Sequence, residues 1–135
     1  MATKIKGTNQ EFLEILRGLE GLKEVKGKVF SLLVARNIMY ISKHLKPIEK
    51  AAEPSKKFQE LSVQVQRLVK EEKNEEIVAI EEANKDLIED RKTQLAEVED
   101  MLQKESSVDI NFIKEEHIPN DVTPEKILPL LAIIN

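Results

Sequence analysis

With 135 residues the chain has room for one domain built around one core. Apolar residues make up 41% and charged residues 34%, which is too apolar for intrinsic disorder, and the absence of Cys excludes disulfides, thiolate metal sites and a Cys nucleophile. The net charge of −4 is unevenly spread: residues 1–70 hold 14 Lys/Arg against 7 Asp/Glu, residues 71–135 hold 7 against 18, so the two halves either attract, as an antiparallel hairpin or a pair of copies, or each present a solvated face of one sign.

Aromatics at 4%, with four Gly and five Pro, leave little for the turns of an all-β fold. No apolar run approaches the ~20 residues that cross a bilayer, and "MATKIKGTNQ" lacks the apolar region of a secretion signal. A cytoplasmic protein that does not enter membranes is expected.

In chain order, "TKIKGT" alternates like a short strand, and "TNQE" is a capping box in which Thr8 and Glu11 start a helix. Phe12, Ile15, Leu16, Leu19 and Leu22 give that helix one apolar face. Gly18 and Gly21 mark close packing or the helix end, and Gly27 is a second break. In the core helix "VFSLLVARNIMYISKHLKPI", Phe30, Val34, Ile38, Ile41, Leu45 and Ile48 face inward. Val29, Leu32, Leu33 and Met39 widen the arc, so the helix should be covered on more than one side, and Pro47 should kink or end it.

Pro54 and Ser55 break the chain and cap the next helix. Phe58, Leu61, Val65 and Leu68 step 3-4-3 in a narrow coiled-coil seam, and "KEEKNEE" is a turn or a helix-continuous bend. One helix is expected over 75–104, with Ile77, Ile80, Leu87, Ile88, Leu95, Val98 and Leu102 inward and Asn84 and Arg91 on the same seam. "VDINFI" reads as a strand with Val108, Ile110 and Phe112 on one side and Asp109, Asn111 and Ile113 on the other. Its unpaired backbone needs a partner, and residues 2–7 are the comparable segment. "HIPND" is a turn. Thr123 then caps a helix with Pro124 at its first position and a Val122–Ile127 staple. That helix, kinked by Pro129, docks with Ile127, Leu130, Leu131 and Ile134, the competing reading being a tail that enters a partner or membrane. The fold expected is mainly α: an antiparallel helical bundle or hairpin, with a minor two-stranded β ribbon joining the N- and C-terminal regions. It forms a single domain, with core helices over 1–53, a hairpin or rod over 55–105, and a strand plus docking helix over 106–135.

Few residues carry chemistry. Asn37, buried in an apolar helix, must hydrogen-bond, to the strand backbone, to a second helix or to a ligand. His117 beside Glu115 and Glu116 lacks further metal ligands at a known spacing, and His44 reads as an ordinary polar position. Carboxylate pairs at 75–76, 81–82, 89–90 and 99–100 read as a solvated face or as a surface for a basic partner. Lys23, Lys26, Lys28, Lys43, Lys46, Lys50, Lys56 and Lys57 could meet phosphate, but scarce Arg and aromatics argue against nucleic acid. Glycine-rich phosphate loops and Ser-His-Asp spacing are absent.

The basic N-terminus running into "NQEFLEILRGLEGL", the "ARN" of residues 35–37 and the closing "VDINFI…IP…VTPEKILPLL" resemble a group of small proteins of tailed phages and prophages, mostly of unknown function. The resemblance covers both ends and the first third of the chain; the acidic middle matches only in character. It implies a phage origin and a non-enzymatic role, with no catalytic residue to carry over. The leading expectation is a helical module that binds another protein or itself, in virion assembly or on a host factor, without a cofactor. Arg36, Asn37, Asn84 and Arg91 are its candidate interaction residues. A nucleotide-sequestering protein with a pocket lined by Asn37, Arg36 and Arg91 comes second, and a metal-dependent enzyme using the acidic helix third.

Overall fold

The computed structural model describes residues 2–135. Their order is β1 (Thr3–Thr8), α1 (Asn9–Glu20), α2 (Lys28–Ala52), α3 (Lys56–Lys70), α4 (Asn74–Ala83), α5 (Lys85–Gln103), β2 (Glu105–Ile110), a 3-10 turn (Glu115–His117), α6 (Pro124–Ile127) and a closing 3-10 helix (Leu128–Ile133). The fold is mainly α with one two-stranded antiparallel ribbon, as the periodicities require. Contacts group into two compact units: residues up to Pro47 with Met101–Asn135, and Ile48–Asp100.

In the first unit the ends of the chain meet. β1 pairs with β2 from Thr3 opposite Ile110 to Thr8 opposite Glu105, and the Asn9 amide continues the ladder to the Lys104 carbonyl at 3.0 Å. The expected strand at 108–113 therefore lies three residues earlier. Its alternation holds for Val108 and Ile110, both buried, but Asn111 and Ile113 are buried as well. The chain leaves the ribbon after Ile110, and Ile113 bridges in parallel to Ile134, with 2.8 Å bonds from Ile113 N to the Ile133 carbonyl and from Asn135 N to the Ile113 carbonyl.

Thr8 and Glu11 form the reciprocal box that starts α1, with Glu11 N on Thr8 Oγ1 at 3.1 Å and Thr8 N on Glu11 Oε1 at 3.3 Å. Phe12, Ile15 and Leu19 point inward. They meet Phe30, Val34, Ile41 and Leu45 of α2, Val108 and Ile110 of β2, and the tail in one core; each such side chain contributes about 1.5–3 kcal/mol by leaving water. Gly27, at φ +139°, turns the chain into α2, a conformation that L side chains rarely adopt. α2 does not stop at Pro47 but runs on to Ala52 with the ring on an exposed position. The ring removes one helical donor, yet the helix continues to Ala52 and breaks just before Pro54.

The tail is ordered, with Thr123 as N-cap and Pro124 at the first position, although the Thr123 side chain makes no cap bond. Beyond Ile127 the helix tightens to 3-10. With three residues per turn, the inward side chains fall at Leu130 and Ile133, and Leu131 turns out to solvent. An α-helical period had placed Leu131 and Ile134 inward instead. This segment packs on α1 at Gly18, where an added Cβ would stand 2.9 Å from Pro129 Cβ and 3.1 Å from Leu130 Cδ2.

In the second unit, Ser55 caps α3 by accepting from Phe58 N at 3.2 Å. Leu61 and Leu68 are buried on the seam, with Phe58 and Val65 partly so. Between α3 and α4 the chain reverses through Glu72 at φ +57°. Lys73 N reaches the Leu68 carbonyl at 3.0 Å, the six-to-one bond of a Schellman cap made without glycine. The hydrogen bond that the Lys73 ammonium donates to the Glu71 carboxylate, together with that group's charge, holds Lys73 above its ordinary pKa. The single helix expected over 75–104 is interrupted at Asn84, whose side chain donates to the Ile80 carbonyl at 2.8 Å and competes with the backbone ladder. Leu95, expected inward, is about half exposed, while Val98 is buried.

Two stability changes follow. Gly18→Ala should lower stability by about 1–2 kcal/mol in urea unfolding despite alanine's better helix propensity, whereas Gly21→Ala, at φ −67° and only 3.4 Å from the nearest atom, should be close to neutral. Glu72→Gly should raise stability by about 0.5–1 kcal/mol in the same measurement, because glycine adopts a positive φ without the Cβ clash.

Candidate functional site

α2 has two faces of different character within the first unit. The inner face carries two polar groups among its apolar neighbours. Asn37, 0% exposed, donates from Nδ2 to the Asn111 carbonyl at 2.8 Å and accepts the Asn111 N–H on Oδ1 at 2.7 Å. Its amide thus acts as a one-residue strand for the peptide that follows β2. Both polar atoms are bonded to the backbone of Asn111 and the side chain is sealed from solvent, so of the alternatives open to Asn37 the strand backbone is the one realised.

Two turns on, His44 Nε2 lies 3.0 Å from Asn9 Oδ1 and 2.9 Å from Ser106 Oγ, and Ser106 Oγ donates to Asn9 Oδ1 at 2.6 Å. Phe12 meets the imidazole edge-on at 5.6 Å. A serine within hydrogen-bond reach of a histidine is the start of a nucleophile–base pair, so the direction of each proton matters. Asn9 Nδ2 donates to the Met101 carbonyl at 2.9 Å, which fixes Asn9 Oδ1 as an acceptor. Asn9 Oδ1 accepts from Ser106 Oγ and, in the tautomer with Nε2 protonated, from His44 as well. The cluster ties α2 and β2 to Asn9, whose Nδ2 in turn satisfies a carbonyl at the end of α5.

Arg91 and Asn84 lie in the second unit and also serve the fold. Arg91 donates to the Ala52 carbonyl at 2.8 Å and to Gln94 Oε1 at 2.9 Å, with its guanidinium 5.6 Å from the Phe58 ring centroid. Gln94 donates to the Ala51 and Glu53 carbonyls at 2.7 and 2.6 Å. Together they satisfy the open carbonyls at the end of α2, where no glycine cap exists. Phe58, Leu61, Val65 and Ile88 line a cavity of about 320 Å³ in this unit, with Glu81 at its edge.

Arg36 belongs to the outer face of α2. Leu32, Arg36, Met39, Lys43 and Lys46 succeed one another at 4-3-4-3 spacing, the spacing of a coiled-coil seam. Val29 stands one turn before Leu32 on the same side. Leu32 is 51% and Met39 57% exposed, with Val29 at 48%. The cover expected on more than one side of α2 does not extend to this stripe, where Val29, Leu32 and Met39 face solvent among the described residues. The 4-3-4-3 run was present in the sequence, but apolar width alone does not say whether the cover comes from the same chain.

A second surface lies between α1 and the closing 3-10 helix. Ile15, Gly18, Leu128, Pro129 and Ala132 floor a groove of about 730 Å³, with Glu11 and Glu14 on its rim beside Arg17. Leu128 and Leu131 are both more than half exposed. Among the described residues no group of three or more His, Asp or Glu side chains is placed to hold a metal ion, and no helix is long and apolar enough to cross a membrane. Near the Glu115–Glu116–His117 turn, His117 Nδ1 is buried without a hydrogen-bond partner, and nothing in the structure explains it.

Comparison with protein-family models, with curated proteins and with solved structures finds no match in any of the three.

Asn37→Ala should cost about 2–5 kcal/mol in urea unfolding, because the Asn111 N–H and carbonyl would both be left buried and unpaired. Ser106→Ala removes one member of a part-buried network and should cost only about 1 kcal/mol in the same assay.

Proposed function

We propose that this chain is a non-enzymatic helical module that binds other protein through the outer face of α2. We propose further that it is encoded by a tailed phage and works in the host cytoplasm, in particle assembly or on a host factor. One observation supports the interaction reading above the others: Val29, Leu32 and Met39 stand half exposed on one side of a 25-residue helix, at the spacing that another helix would fill. Exposed apolar stripes of this kind lose free energy in water that only a partner recovers. The complete burial of Asn37 and its two bonds to the Asn111 backbone argue against a nucleotide pocket there. The phage origin rests on the resemblance of "NQEFLEILRGLEGL", "ARN" and "VTPEKILPLL".

A photo-crosslinking residue placed at Leu32 should trap a defined protein species in the cell that makes the chain, and the same residue at Gln64 should not. Introducing Met39→Glu should abolish the adduct. Equal labelling from both positions would remove the basis for the reading.

A further inference from the structure

We infer that the outer face of α2 docks into the groove between α1 and the closing 3-10 helix of a second copy of this chain. This rests on the interaction reading above and names its partner.

The argument begins with charge. Among the described residues the outer face of α2 carries Lys28, Arg36, Lys43 and Lys46, and its one acid, Glu49, comes after them. Pairing that face with the same face of another copy, in either direction, sets cation against cation, so a partner surface must be apolar and acidic. The α1 groove has that character. Its floor is Ile15, Gly18, Pro129 and Ala132, with Leu128 at the lip. Glu11 and Glu14 form the rim, and Arg17 is the lone cation there. Gly18 contributes by lacking a side chain, which keeps the floor low between α1 and Pro129. Leu32 and Met39, seven residues apart, lie two turns from each other on one line, so both can enter a groove while Arg36 between them reaches an acidic rim.

Stripe and groove both lie within the unit formed by residues up to Pro47 and Met101–Asn135, so every copy offers both halves of the contact. The two surfaces differ, so the contact is heterologous and can build a ring or a filament as well as a reciprocal pair.

The test uses the full chain with two charge variants and sedimentation velocity. Glu14→Lys makes the groove rim basic, and the pair Lys28→Glu with Arg36→Glu makes the stripe acidic; all three positions are exposed and circular dichroism checks that the variants fold. The wild type should self-associate, and each variant alone should do so about tenfold more weakly. An equimolar mixture should regain association, because the unaltered stripe of the first variant meets the unaltered groove of the second, while the basic groove of the first meets the acidic stripe of the second. Leu32→Glu should abolish association in every combination. A wild type that stays monomeric up to about 1 mM overturns the proposal, as does a mixture that associates no better than its parts. If the wild type is monomeric while the probe at position 32 still traps a different protein, self-docking fails and the interaction module stands; if neither occurs, both fail.

Discussion

The peptide of Asn111 lies just past the end of a two-stranded ribbon, buried, with no third strand to pair it. Asn37 supplies the missing strand with a single side-chain amide, bonded at 2.8 and 2.7 Å. Much else follows from that substitution. Because the ladder ends there, the chain is free to turn after Ile110 and bring Ile113 against residues 133–135. Because Ile113 holds the tail, Leu130 and Ile133 reach the core and Pro129 closes over Gly18. An apolar residue at position 37 would pack acceptably yet leave two backbone groups without water or partner.

α2 therefore carries two different faces on one length of sequence. Its inner face combines aliphatic packing with two polar fastenings, Asn37 to the peptide after β2 and His44 to the Asn9–Ser106 pair. Its outer face repeats a helix-pairing spacing in apolar and basic residues. Both inner fastenings join elements distant in the chain to one side of the helix.

Local signals were the most legible part of the sequence. The Thr8–Glu11 box, the Ser55 cap and the Gly27 break depend on residues three or four apart, and each stands where its pattern put it. The meeting of the chain ends was legible for a different reason: two lone strands each needed a partner, and each was the other's natural choice. Four features were not legible. Pro47 stays within a helix whose surrounding turns outweigh one lost donor. Asn84 interrupts a helix because its side chain captures a carbonyl, which periodicity does not register. The tail follows a period of three after Pro129, so Leu131 and Ile134 exchange roles with Ile133. The cluster at His44 was beyond reach altogether, since its members come together from 35, 62 and 97 positions apart with no spacing to announce them. Of the four residues singled out for interaction, three turn out to be fastened internally; only Arg36 stands free on the outer face of α2.

The division of the chain into a continuous segment and a discontinuous one has a consequence for biosynthesis. Ile48–Asp100 emerges from the ribosome as an uninterrupted stretch and has its whole unit in hand before residues 101–135 are translated. Strand β1, by contrast, is made long before its partner and stays unpaired until residues 105–110 have cleared the exit tunnel. During that interval Phe12, Ile15 and Leu19 have no β2 or tail to shelter them, which is when such a nascent polypeptide would most need a chaperone.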